Sequence, residues 1–348
     1  MLYATTRSDV DTYTAQRALK EKRSPDGGFY IPMQLPELNR EELFSLLSGS
    51  QGEILAWFMN RFFAAKLTAR DVEFALGKGV IRIHTMSHRI TAAEGWHNPD
   101  GDFSRVCRVM AQRLAVDKTS VNTGGEWLRL VCRMAALFIG YSEMLRQNVI
   151  HFGTKVDITY PVGTFGAPMA AWYARKMGLP IGSIICCCNE NNSLWELLNR
   201  GEMKSYIPVR KTNTPRCDVS CPEGVERLIR ETLGLGESLR FAQALESRGT
   251  YAPGPDRLRL LQEGFYVCVV SDKRISRVIA NVWASHSYVL CPYTALAHSG
   301  LMDFRAETGS GNPALMVCES SPLQCEDLVS QALGITGSQL HERLGVTV

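Results

Sequence analysis

An α/β fold, with a mostly parallel sheet flanked by helices, is what these 348 residues predict, and three observations predict it. Residues 156–161 read as a buried strand, Val162-Gly163-Thr164-Phe165-Gly166-Ala167 as a glycine-bearing turn, 168–177 as a helix and 181–188 as the next strand, which makes a βαβ unit. The alternation continues with a strand at 267–270, a helix at 273–284 and the apolar run Tyr288-Val289-Leu290-Cys291. A further strand follows at 314–318. Ligands of such sheets sit outside the carboxyl ends of the strands, which singles out the loops 161–167 and 291–295.

From the N-terminus, residues 2–5 are a short strand candidate, and Ser24-Pro25-Asp26-Gly27-Gly28 is a turn leading into a strand at 29–32. Residues 40–47 and 54–65 carry apolar positions at helical spacing, and Thr68 is suited to cap the helix opened by Ala69-Arg70-Asp71. Residues 78–93 are mixed in pattern, 95–102 read as a loop and 103–114 as a helix. A long apolar-periodic helix is predicted over 127–145, a short one over 193–199, and helical structure after Pro322.

The length exceeds the roughly 250–300 residues of a single core, so two lobes are expected. A net charge of +3 is no electrostatic footprint for nucleic acid. The N-terminal stretch has no apolar core behind a basic start, and the longest apolar runs fall far short of a bilayer span, so neither a signal peptide nor a membrane segment is expected. Eleven cysteines, three of them consecutive at 186–188, make a poor disulfide framework, and reduced thiols in a cytoplasmic setting are expected. Cys217 and Cys221 have no second Cys/His pair at zinc spacing, so no metal is expected.

The turn 163–167 followed by a helix has the parts of a phosphate cradle, although a tight turn without ligand reads the same way. Thr294 is placed either to bond a heteroaromatic nitrogen or to cap a helix. Cys291 as a nucleophile needs a base, for which His286 and His298 are the candidates by number; the ordinary reading is a buried structural thiol. His84 and His88 lie in a strand-like segment and read as local hydrogen-bonding groups.

In several segments and in the right order, the chain resembles threonine synthase and the threonine synthase-like phospho-lyases, pyridoxal-phosphate (PLP) enzymes of the tryptophan-synthase-β fold type. Tyr3-Ala4-Thr5-Thr6-Arg7 is similar to the family's Y-x-S-T-R start, and residues 25–32 to its D-G-G-L-Y-V-P signature. Residues 156–191 resemble the V-P-T-G-N-F-G-N strand–loop–helix, and 271–297 the C-terminal helix with its D/C-P-H-T-A loop. The resemblance implies that Gly163, Thr164, Phe165, Gly166 and Ala167 cradle the PLP phosphate and that Thr294 bonds the pyridine nitrogen. Trp127 and Arg129 match a W-x-R that, with a preceding N-S-x-N, holds the substrate's phosphate. Here Asn122-Thr123-Gly124-Gly125-Glu126 precedes it, and a carboxylate at Glu126 is expected to repel that phosphate.

The family motif E-L-x-H-G-P-T-x-A-F-K-D meets Glu94-Gly95-Trp96-His97-Asn98-Pro99-Asp100-Gly101-Asp102-Phe103-Ser104-Arg105, which puts Ser104 on the Schiff-base lysine. Serine has no amine to hold the cofactor's aldehyde. Lys118 and Lys155 are the lysines nearest in sequence. The next motif, S-G-D-T-G, and most of the small mobile domain are missing. The resemblance therefore implies three regions: 1–92 as a threonine synthase-like N-terminal part, 93–126 as the remnant of the lysine segment and small domain, and 127–348 as the α/β phosphate-binding part.

The expected function is a catalytically degenerate relative that keeps a phosphate- or PLP-binding scaffold, the cofactor held without a covalent bond, in a binding or regulatory role. A working lyase on O-phosphohomoserine-like substrates is the alternative, and PLP-independent chemistry by His97, Asp100, Asp102 and Ser104 a third reading. A phosphorylated small molecule is the expected ligand, and self-association or a partner chain is expected to cover the face the lost domain would expose.

Overall fold

Six strands form the main sheet, in the order Phe265–Val269, Ile181–Cys188, Val156–Pro161, Ala314–Cys318, Ile90–Glu94 and Arg82–Ser87. The first five pair in parallel and the last is antiparallel, so the predicted α/β class with a mostly parallel sheet is what the chain adopts. The computed structural model describes residues 1–77, 80–87, 89–98, 100–114 and 125–345; His88, Lys118 and Asn122 to Gly124 lie outside them. No helix among the described residues is long and apolar enough to cross a membrane.

Alternation along the strands divides the interior into two cores, one on each face of the sheet. Ile184, Cys186, Cys188, Leu315 and Val317 point to one, and Ile185, Cys187, Met316 and Cys318 to the other. The three consecutive cysteines are thus ordinary inward-facing residues of a strand buried on both sides. The first core is filled by the helices Glu126–Arg146, Gly166–Lys176 and Gln51–Phe63, and the second by Asp272–His286, Pro292–Thr308 and Glu326–Leu333. Pro292–Thr308 reaches the sheet at Gly300, where a Cβ would strike the thiols of Cys187 and Cys268.

Most elements lie within a few residues of their predicted places, and the departures have physical reasons. The mixed stretch 78–93 holds the two antiparallel strands at the sheet edge; the outer one, Arg82–Ser87, has a neighbour on one side only and keeps polar residues and a bulge. Residues 288–291 are buried but pair with no strand, and lead instead into the 17-residue helix Pro292–Thr308. That helix is buried on nearly all sides over residues 292–301, so it lacks the amphipathic period that marks a surface helix.

Two charged side chains tie the N-terminal part to the rest. Arg227, 1% exposed, donates to both oxygens of Glu126 at 2.6 and 2.7 Å and to the carbonyl of Tyr30 at 3.1 Å, with its guanidinium over the rings of Phe29 and Trp127. Glu226 next to it accepts from the Thr6 hydroxyl and from Arg7. Glu126 is therefore a structural counter-ion. Glu126→Gln leaves the buried Arg227 charge without its partner and is expected to lower the unfolding free energy by about 3 kcal/mol in urea titrations. Glu126→Leu combined with Arg227→Met is expected to recover most of that loss.

Candidate functional site

A cavity of about 450 Å³ opens at the carboxyl ends of the strands Val156–Pro161 and Ala314–Cys318, where the parallel-sheet rule puts it. Ser104, Arg129, Gly163, Thr164, Gly166, Ala167 and Thr294 all line it, drawn from four separate stretches of chain. Phe165 does not; its ring is fully buried in the core beside Phe265, and its left-handed backbone, φ +69°, makes the corner that starts the helix Gly166–Lys176.

The loop is held by its own backbone. The Val162 N–H donates to Cys187 O at 3.0 Å, the Phe165 N–H to Val162 O at 2.8 Å, and the Thr164 carbonyl accepts from the Gly224 N–H at 2.9 Å. A Cβ on Gly224 would lie 2.8 Å from that carbonyl, so only glycine fits behind the loop. This leaves the first amides of the helix, at Gly166 and Ala167, without intrahelical acceptors and beside the cavity, a site suited to an anion.

Thr294 is not the helix cap. The thiol of Cys291 fills that role, accepting the Thr294 N–H at 3.4 Å and lying 3.2 Å from the Thr294 hydroxyl. Cys291 has no hydrogen bond to a histidine among the described residues, and burial pushes its thiol pKa up, so the nucleophile reading with His286 or His298 fails. His97 bonds Glu94 and stacks on Trp96, and Asp100 pairs with Arg108 at 2.6 Å. Neither lines the cavity, so they do not converge with Asp102 and Ser104, and the four-residue catalytic reading falls with them. Glu126, turned to Arg227, does not line the cavity either, and the expected repulsion of a bound phosphate has no geometric basis.

Arg133, Tyr160 and Arg216 are among the lining residues that escaped the reading of the sequence. Arg133 donates to both oxygens of Glu319 at 2.6 and 2.7 Å. Burial opposes the Arg133 charge, and the Glu319 carboxylate more than reverses that, so the guanidinium stays charged. The signal was available: Arg129 and Arg133 are four apart on one helix and share a face. Tyr160 is 1% exposed, its hydroxyl has no partner among the described residues, and burial holds its pKa far above the ordinary phenol value. Arg216 comes from the loop before the helix Val225–Leu233, where no periodicity could have marked it.

No lysine lines the cavity among the described residues. Ser104 stands there, its hydroxyl 3.3 Å from Arg108 Nη1. Lys155 is exposed just before the strand Val156–Pro161, at the opposite end of the sheet and roughly 20 Å away along the strand.

His298, 8% exposed behind this face of the sheet, has its pKa pulled down to about 4 by burial, helped by the charges of His286, Arg305 and Arg274. Between about pH 6.5 and 4 the unfolded chain takes a proton at this position that the folded chain refuses, so stability falls with pH. A loss of about 2 kcal/mol from pH 7 to pH 5 is expected from this group, and His298→Gln should remove that part of the pH dependence of urea unfolding.

Residues 2–78 match the family model "Threonine synthase N terminus". The chain is 27% identical over 201 residues to Threonine synthase-like 1 of Homo sapiens, covering 57% of this chain and 26% of that protein. It is 28% identical over 222 residues to Threonine synthase-like 2 of Rattus norvegicus, covering 60% of this chain and 44% of that protein. The matched part thus spans less than half the length of these relatives. In structure, the PLP-bound threonine synthase from Brucella melitensis superposes with a TM-score of 0.85 at 19% identity, covering 100% of this chain and 95% of that one. Yeast threonine synthase gives 0.84 at 18%, covering 99% and 94%. Residues 2–78 thus match the N-terminal part of threonine synthase, and the whole chain is similar to threonine synthases in fold.

Proposed function

We propose that the chain is a catalytically degenerate threonine synthase-like scaffold that binds a phosphorylated small molecule, PLP included, without a covalent bond. The observation that carries this reading is a cavity with no lysine on its wall among the described residues, and with Ser104 where the family motif has its lysine. PLP supplies an aldehyde and an electron-withdrawing ring, and its lyase chemistry requires an enzyme amine to hold the one and to move protons beside the other.

The residues present fit part of that cofactor. The open amides at Gly166 and Ala167 suit its phosphate, the Thr294 hydroxyl suits its ring nitrogen, and Arg129 suits a second phosphate. The Tyr160 phenol keeps its proton and can donate it in a hydrogen bond to an oxygen of whatever fills the cavity. Among the described residues nothing on the wall replaces the amine: the Ser104 hydroxyl accepts from Arg108, and a guanidinium is no substitute for a lysine amine. Only residues 114–125 separate the helix Ser104–Arg113 from Glu126–Arg146, which supports a reduced small domain and a poor seal against water. Eleven unpaired cysteines support a reducing, cytoplasmic compartment. The alternative, a working lyase on O-phosphohomoserine-like substrates, rests on the same intact loop and on Thr294, and needs an amine from elsewhere in the chain or from a partner.

Titration with PLP, followed by borohydride reduction and peptide mass mapping, tests the proposal. The expected result is saturable binding, abolished by Thr164→Asp, with no reduced adduct on any lysine. Ser104→Lys is expected to gain one adduct at that position. An adduct on a lysine of the unaltered chain would return the lyase reading to first place.

A further inference from the structure

Arg216 crosses the mouth of the cavity. Its main chain stands beside the phosphate loop, where a Cβ on Gly163 would come 3.5 Å from the Arg216 carbonyl. Its side chain runs away from the loop: Nη2 lies 3.1 Å from the Asp102 carboxylate and donates to Gln324 Oε1 at 2.5 Å, Nη1 donates to Ser320 Oγ at 2.7 Å, and the guanidinium covers the Tyr293 ring. Of these partners only Asp102 is charged. The family motif has alanine at that place, so the pair belongs to this chain's own version of the site.

We propose that Arg216 and Asp102 form an exchangeable ion pair that selects a ligand carrying a carboxylate as well as a phosphate. The inference rests on the reading of the 163–167 loop as the phosphate site. Three arginines and two carboxylates line the cavity, and Arg133 is committed to Glu319 through two bonds. Recognition of a second acidic group therefore falls to Arg129 or Arg216, and Arg216 is the one already anchored beside the loop.

The exchange strands neither group. Arg216 is 49% exposed and Asp102 21%, so their attraction is that of a solvent-screened pair, open to competition. Ser320 and Gln324 keep the guanidinium aimed across the mouth while its charge changes partner. Asp102, once released, still accepts the Ser104 N–H at 2.8 Å. A ligand carboxylate that meets the guanidinium in bidentate fashion gains more than the single contact it displaces. The unpartnered Tyr160 hydroxyl in the same wall independently marks the cavity as built for a polar occupant.

Calorimetric titration of the full chain with 3-phosphoglycerate, which has both groups, and with glycerol 3-phosphate, which lacks the carboxylate, tests this. The unaltered chain is expected to prefer 3-phosphoglycerate. Asp102→Asn keeps the Ser104 contact and is expected to tighten 3-phosphoglycerate about threefold to tenfold while moving glycerol 3-phosphate less than about twofold. Arg216→Met is expected to bind the two probes alike. Equal effects of Asp102→Asn on both probes, or a preference that survives Arg216→Met in a chain of unchanged melting temperature, would overturn the inference. So would the absence of binding by Asp102→Asn, in which Arg216 is free. Thr164→Asp, expected to lose both probes, separates the two ideas: binding that survives it refutes the phosphate loop, whereas the carboxylate preference is judged from Asp102 and Arg216 alone.

Discussion

The cavity depends on one ion pair under its floor. Arg133 is fixed in the middle of the long helix Glu126–Arg146, and Glu319 lies one residue past the end of the strand Ala314–Cys318. Their two short hydrogen bonds set where the strand end stands relative to the helix, and so the depth of the pocket between them. A Cβ on Gly166 would lie 3.1 Å from Arg133 Nη1, so the start of the phosphate loop's helix rests against the same guanidinium. Such a pair is retained or lost as a unit, because either member alone would be a buried charge without a partner. The scaffold of the site is thus anchored by residues outside the family motifs that first drew attention to it.

Under the proposed reading, scaffold and chemistry part company in this chain. The loop 163–167, the Thr294 hydroxyl and Arg129 depend on backbone geometry and on helix position, which the two cores enforce whatever the site does. The amine of a lyase depends on one side chain, and where the resemblance expects it stands Ser104, flanked by Asp102 and Arg108, both of which make polar contacts of their own. Those contacts stabilise the segment in its present form.

How much the sequence disclosed follows from which forces leave a linear trace. The unit 156–188 was legible because its strands are apolar and its turn has glycines at fixed spacing, and both are local properties. The helix Pro292–Thr308 was not, because burial on nearly every side removes the periodicity by which helices are recognised. Thr294 stayed open between a cap and a ring-nitrogen partner for a related reason: the cap belongs to Cys291, a residue type ranked low for that role. Glu126 was read against a missing phosphate, but its partner, Arg227, lies 101 positions away, and charge pairing over that span has no signature in one sequence. Arg216 and Tyr160 share that difficulty, since each is informative only through what surrounds it.

The ties between Thr6, Arg7 and Glu226 have a temporal consequence. These partners are 219 and 220 residues apart. At ordinary synthesis rates Thr6 and Arg7 wait roughly 10–40 s for the helix that receives them. Until then Tyr3 and Tyr30, both fully buried in the finished fold, have only part of their eventual cover. This segment is made long before the helix that receives it and closes only afterwards, so it has a long exposure to chaperones and proteases before folding is complete.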